Sequence, residues 1–342
     1  MTTTTPATAP VAAPQDNIAG WTPAARWRGV WRAGRWPAGA AVIGVAAALP
    51  ALAGPYVVGL ASSAIVLALL AMSTQLLAVA GLPSFGQTAF LGVGAYTAVV
   101  LANAGITHGL VQLAAAVLAA AAVAAVTAPF VLRTRGVSFL MVTVMIQGLG
   151  YAAAVHWTSV TGGSDGRHTP PVTLGHNGAV TSTPGIYWYA FTVLAVAGAA
   201  TAVLLRSRLA LIWRGHAGHE PRMIALGYRP TVDLGAAYVA AAALAGAGGA
   251  LTVAINTFMS PAYLSFDIAA AAFAAAALGA SLAGRPTMTG ALAATAAIVA
   301  VRDFLGSNGT GPLWFGLLCL TVPYLRPAAT GLRAWSTRRR QA

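Results

Sequence analysis

Apolar residues gather along this chain in long stretches separated by short polar spacers. Ten stretches stand out, at about 38–54, 57–80, 88–105, 109–132, 137–157, 185–205, 231–256, 264–283, 287–305 and 312–325. A helix of about 20 apolar residues crosses the hydrocarbon core of a bilayer. The pattern therefore predicts an all-α polytopic membrane protein with about ten transmembrane helices. Gly, Pro and polar residues cluster in the spacers, as loop tips require. Two spacers are long, 158–184 and 206–230.

Composition sharpens this picture. Of 342 residues, 58% are hydrophobic and 7% charged, against about a quarter charged in an average soluble domain. That excludes a soluble enzyme. The net charge of +13 comes from 19 basic and 6 acidic residues, and every basic residue is Arg. An excess of this kind suits nucleic-acid binding, but the arginines sort by loop. With the N-terminus in the cytoplasm, Arg167 and Arg302 alone fall outside and the other seventeen inside. This is the bias that orients membrane proteins. It places both termini in the cytoplasm and leaves no role for a nucleic acid. The phosphate-binding loop of ATPases needs a Lys. The chain has none, so it carries no standard ATPase site of its own. Cys319 lies in an apolar run and reads as a buried, inert thiol.

Residues 1–22 are Thr/Ala/Pro-rich at their start and predict a disordered tail. In 23–36, Trp27 and Trp31 stand beside Arg28, Arg32 and Arg35. This suits either a short helix at the lipid headgroups or a merely basic tail. A transmembrane domain over 37–326 and a basic tail over 327–342 complete the chain.

No catalytic constellation stands out, and no metal or cofactor is implied. The histidines sit largely in loops and read as solvated imidazoles. Arg302 and Asp303 are expected to satisfy each other or water at the outer rim. Proton-driven transporters bury carboxylates at mid-membrane; here only Asp267, near a helix start, comes close. The energy for any transport must come from outside the chain. In AGLPSFGQTAFLGVGAYTAV (80–99), Pro83 and four glycines interrupt an apolar region. Two readings stay open: a broken helix beside a cavity, or a tight interhelical turn. Ser84, Gln87, Thr143, Gln147 and Asn256 are the candidate lining of a translocation path. In the inner loop, Glu220-Pro221 predicts a helix start and Gly227 its stop. The resulting two-turn helix, exposing Met223 or Leu226, is either a grip for a soluble partner or an ordinary amphipathic loop helix.

GLPSFGQTAFLGVGAY (81–96), RGVSFLMVTVMIQ (135–147), TGGSDG (161–166), EPRMIALGYRP (220–230), AAYVAAAALAGAGGAL (236–251) and SPAYLSFDIA (260–269) follow in order along most of the chain. In this series the chain resembles the permease subunits of branched-chain amino acid ABC importers, the high-affinity leucine/isoleucine/valine family, and its M-type member in particular. The resemblance implies an ABC importer permease fold in a bacterial cytoplasmic membrane. Its implied partners are a second permease subunit, two cytoplasmic ATP-binding subunits and an extracytoplasmic solute-binding protein. The implied cargo is a branched-chain or related amino acid, moved without any bond being made or broken by this chain. The family's cytoplasmic loop is its coupling element, which assigns ATPase contact to Glu220, Arg222, Met223, Ala225, Leu226 and Gly227. The chain departs from the family pattern at Ser138, at Arg222 and Met223 behind Pro221, and in LGASLAGRPTMTG (278–290). Two other readings stay open: a permease for urea or short amides, and a non-transporting scaffold or sensor.

Overall fold

The computed structural model describes residues 50, 54–173, 182–283 and 288–304. The segments 1–22, 23–36 and 327–342, nearly all of the first and tenth apolar stretches, and Cys319 lie outside the described residues. The other eight stretches form helices. These are α1 (Pro55–Val79), α2 (Gln87–Asn103), α3 (Gly109–Val131), α4 (Val137–His156), α6 (Thr183–Arg206), α8 (Pro230–Asn256), α9 (Phe266–Ala283) and α10 (Met288–Phe304). Between them lie a single turn, α5 (Thr158–Thr161), and a further helix, α7 (Arg208–Ala225). Two short strands, β1 (Arg167–His168) and β2 (Phe258–Met259), pair antiparallel. By length and composition α1, α3, α4, α6 and α8 can each cross a membrane.

Small residues decide which helices meet at the centre. The most hydrophobic window of α8 is 72% buried and that of α1 56%, against 22–28% for α3, α4 and α6. On α3, Ala116, Ala120, Ala124 and Ala128 recur every fourth residue and are all buried. Such a spacing lines up one face of a helix. A Cβ on Gly246 of α8 would lie 2.6 Å from Ala120 Cβ, and one on Gly94 of α2 would lie 2.4 Å from Gly246 O. The backbones of α2, α3 and α8 thus approach to distances that only small side chains permit. The outer helices turn apolar residues outward: Leu118, Val126 and Phe130 on α3, Met145 and Leu149 on α4, and Val196 on α6 are about 70% exposed. Lipid tails solvate such a surface; water does not.

The connections gather at two ends. At one end β1 pairs with β2, Thr169 N donates to Thr257 O at 2.9 Å, and His108 bridges to Thr173. At the other lie α7, which carries Arg222, and the connections carrying Arg133, Arg135 and Arg229.

One open reading is decided here and one expectation changes. The interruption between α1 and α2 is a turn, Ala80–Gly86, but a turn sunk in protein: Leu82, Ser84 and Gly86 are buried. Irregular backbone at this depth is tolerated where protein surrounds it. The stretch 206–230 is not a loop with one short helix. It is helical from Arg208, broken only at His219, where φ −159° and ψ 84° divide it into Arg208–Gly218 and Glu220–Ala225. Ala210, Trp213 and His216 are buried at three-residue spacing, a one-sided face that a search for apolar runs passes over.

Candidate functional site

The second half of α7 is a short helix with defined ends. Glu220 and Pro221 open it after His219, as charge and fixed φ favour. At its close Gly227 N donates to Ile224 O (2.9 Å) and Tyr228 N to Met223 O (3.1 Å), with Gly227 at φ +88°. This is the paired 5→2 and 6→1 closure that needs a left-handed residue, hence Gly. The first half is pinned from beneath. Trp213 Nε1 donates to Asp233 O at 2.8 Å, and His216 Nε2 lies 3.1 Å from Asp233 Oδ2. His216 is thus a buried, paired imidazole, contrary to the solvated one expected, because the turn from α7 into α8 brings Asp233 beneath it.

Glu220 takes both of its carboxylate oxygens to Arg135 Nε, at 2.9 Å each. The Arg135 Nη1 donates to Leu132 O, so the pair also clasps the end of α3. Met223 folds back over Gly215, where a Cβ would stand 2.7 Å from its sulfur. Pro221, Arg222, Ile224, Ala225, Leu226 and Gly227 are left exposed. Of the two expected exposed residues, Leu226 projects (66% exposed) and Met223 is half-buried; Ile224 takes the second outward position at 53%.

The polar residues expected along a path are placed in two groups. Ser84, Gln87, Thr143 and Gln147 are buried where α2 begins against α4. Thr143 Oγ1 accepts from Phe85 N (3.2 Å) and donates to Leu140 O (2.8 Å); Ser84 Oγ accepts from Gly86 N (3.1 Å). Gln147 Nε2 donates to Leu264 O (2.5 Å). Ser73 Oγ lies 2.6 Å from Gln87 Oε1 and 2.7 Å from Ala241 O, and shares its proton between them. Gln87 Nε2 has no hydrogen-bond partner among the described residues. Asn256 stands apart at the opposite end. It borders a cavity of about 350 Å³ between α1, α8, α9 and α10, together with Tyr263, Arg302 and Asp303. Burial pushes the Tyr263 hydroxyl pKa above its usual value, so it stays a neutral donor.

Arg302 and Asp303 do not satisfy each other. Arg302 Nη2 pairs with Asp267 Oδ2 at 2.9 Å, and Tyr56 OH donates to Asp303 Oδ1 at 2.6 Å. Neighbours on a helix point about 100° apart, so each finds its partner on a different element. Sequence reasoning also missed Arg135, Asp233, Trp213 and Ile224. A signal existed for the first: Glu220 is the sole acid in 206–230, among arginines, and the short RTR spacer faces the same end.

No curated protein matches the chain, and no solved structure matches it. The family described as branched-chain amino acid transport system, permease component, matches over residues 56–323. That span takes in every described helix from α2 to α10 and almost all of α1. The apolar outer surface, the close-packed α2–α3–α8 centre and this match agree, and the chain belongs to the permease components of branched-chain amino acid transport systems.

Proposed function

We propose that this chain is the permease subunit of an ATP-driven importer in a bacterial cytoplasmic membrane, carrying branched-chain or related amino acids inward. The observation that carries the reading is the short helix Glu220–Ala225. It is closed at both ends, braced by Arg135, and presents Arg222, Ile224 and Leu226 outward. A helix held this firmly with its apolar residues facing out is built to be gripped. The clustering of Arg at its end of the molecule orients that end to the cytoplasm, where ATP-binding subunits reside. Two such subunits, a second permease and an extracytoplasmic binding protein complete the assembly. Arg222, Ala225, Leu226 and Gly227 form the contact, while Glu220 and Met223 position it. Asn256 borders the path directly. Gln87, with its free amide, lies further along, and Ser84, Thr143 and Gln147 fix the bend beside it. The apolar walls of the cavity favour an aliphatic cargo over urea.

The test is reconstitution with the chain's cognate ATP-binding subunits, second permease and binding protein. Leucine-stimulated ATP hydrolysis and uptake are expected in the wild type, and loss of both in Leu226→Asp without loss of folding. Full uptake in Leu226→Asp would remove the docking role; no uptake of any amino acid by the intact assembly would remove the importer reading.

A further inference from the structure

We propose that the cavity at the end opposite α7 is a receiving chamber that holds a zwitterionic aliphatic amino acid by its head group, with Arg302 on the carboxylate and Asp303 on the ammonium. The inference rests on the importer reading and adds to it a substrate-recognition site within the permease itself. Its basis is the distribution of chemistry around one cavity. The depth is largely hydrocarbon: Leu67, Leu70, Leu91, Ile255 and Ile268 line it, and the hydroxyl of Thr252 among them is spent on Gly248 O. Among the described residues that border it, the charged ones are Arg302 and Asp303, successive residues on the last turn of α10. A volume of about 350 Å³ is at the small end of ligand sites and has room for a single aliphatic amino acid.

Both charged groups keep capacity in hand. Arg302 uses Nη2 on Asp267, and both side chains of that pair are substantially exposed, at 45% and 69%. A guanidinium has five N–H donors in a flat fork, so an arriving carboxylate can be met without breaking that pair. Asp303 accepts from Tyr56 through Oδ1, which leaves Oδ2 to accept from an ammonium. An amino acid entering with its side chain down places carbon against leucine and isoleucine and leaves both charges in the wet rim. Urea and short amides have no charge for either group. The contacts are few and partly solvated, which suits a site that must release what it receives.

The probe is L-leucine, measured by saturation-transfer NMR on the full permease complex in nanodiscs without the binding protein. Two analogues each lack one charge: leucinamide and 4-methylpentanoate. Saturable leucine binding is expected, with each analogue weaker by about tenfold, the scale of one charge-assisted contact in a half-exposed site. In Arg302→Gln the preference over leucinamide disappears; in Asp303→Asn the preference over 4-methylpentanoate disappears. Asp267→Asn breaks the same ion pair as Arg302→Gln but leaves the chamber walls intact, and both preferences persist. A purely structural ion pair gives the opposite pattern, with Asp267→Asn and Arg302→Gln equally affected. Val299→Phe fills the chamber and removes binding. Saturable binding that ignores Arg302→Gln, or no saturable binding in a complex that still imports leucine when supplied with binding protein and ATP, overturns the chamber and leaves the importer reading standing. A complex that imports no amino acid removes both.

Discussion

Gly248 and Gly249 are neighbours on α8 with opposite surroundings, and alanine substitution should separate them. A Cβ on Gly248 would meet Leu69 Cβ at 3.7 Å and Val66 O at 3.8 Å, ordinary contact distances. A Cβ on Gly249 would stand 2.1 Å from Leu91 O and 2.6 Å from Ala95 N. Those are backbone atoms of α2, so no rotamer change relieves them. The two helices must part by about 1 Å before the contact becomes tolerable. Parting them also loosens Gly94 from Gly246, the neighbouring close approach. Replacing Gly by Ala within a helix gains about 1 kcal/mol of propensity at either position. Overpacking a close contact costs about 1–3 kcal/mol, and an immovable backbone obstacle takes the upper value. Gly248→Ala should therefore be neutral to stabilising by about 1 kcal/mol, and Gly249→Ala destabilising by about 2 kcal/mol. The gap of about 2–3 kcal/mol is roughly thirtyfold to more than a hundredfold in the unfolding equilibrium. Titration of the purified chain in mixed micelles with SDS, followed by circular dichroism, measures it. Equal midpoints for the two variants would refute the α2–α8 packing.

Charge reversal tests the brace: Arg135→Glu and Glu220→Arg should each lower uptake in proteoliposomes several-fold, and the double variant should recover most of it, since a half-exposed pair contributes about 1 kcal/mol. Gly227→Val forces a branched residue to φ +88° at a cost of about 1–2 kcal/mol, and hydrogen exchange should show the turn 224–228 opening while the α8 core stays protected. Trp213→Phe removes the donor to Asp233 O and should cost about 1 kcal/mol in the same SDS titration. With Cys319 replaced by Ala, an impermeant thiol reagent on intact cells should label Ser164→Cys and spare Leu226→Cys. Labelling of Leu226→Cys before permeabilisation would reverse the orientation.

What was legible in the sequence was local. The start at Glu220-Pro221 and the stop at Gly227 were readable because capping depends on neighbours within a turn. The eight described apolar stretches became helices because a run of apolar residues in lipid has little other choice. What escaped was set by distance along the chain. Arg135 meets Glu220 across 85 positions and Arg302 meets Asp267 across 35, and nothing in a single sequence fixes such pairings. The front half of α7 escaped for another reason: Arg214, Gly215 and His216 break the apolar run along the chain, and of its buried face only Ala210 and Trp213 are apolar. Ser84, Thr143 and Gln147 were visible as polar residues in apolar surroundings, but type alone does not tell a hydroxyl that faces cargo from one that ties down a turn.

Gly81 has a mechanical meaning. Its φ is +78°, and a Cβ placed on it would reach Ala217 Cα at 3.0 Å. Main chain thus leans on main chain where α7 crosses the α1–α2 bend, with no compliant side chain between them to act as a cushion. A force that displaces α7 arrives at that bend undamped, beside Phe85, which stacks on Phe273 of α9 at 4.4 Å. A tug on the outside of the molecule at one end is therefore felt, with little slack, by the helices that wall its interior.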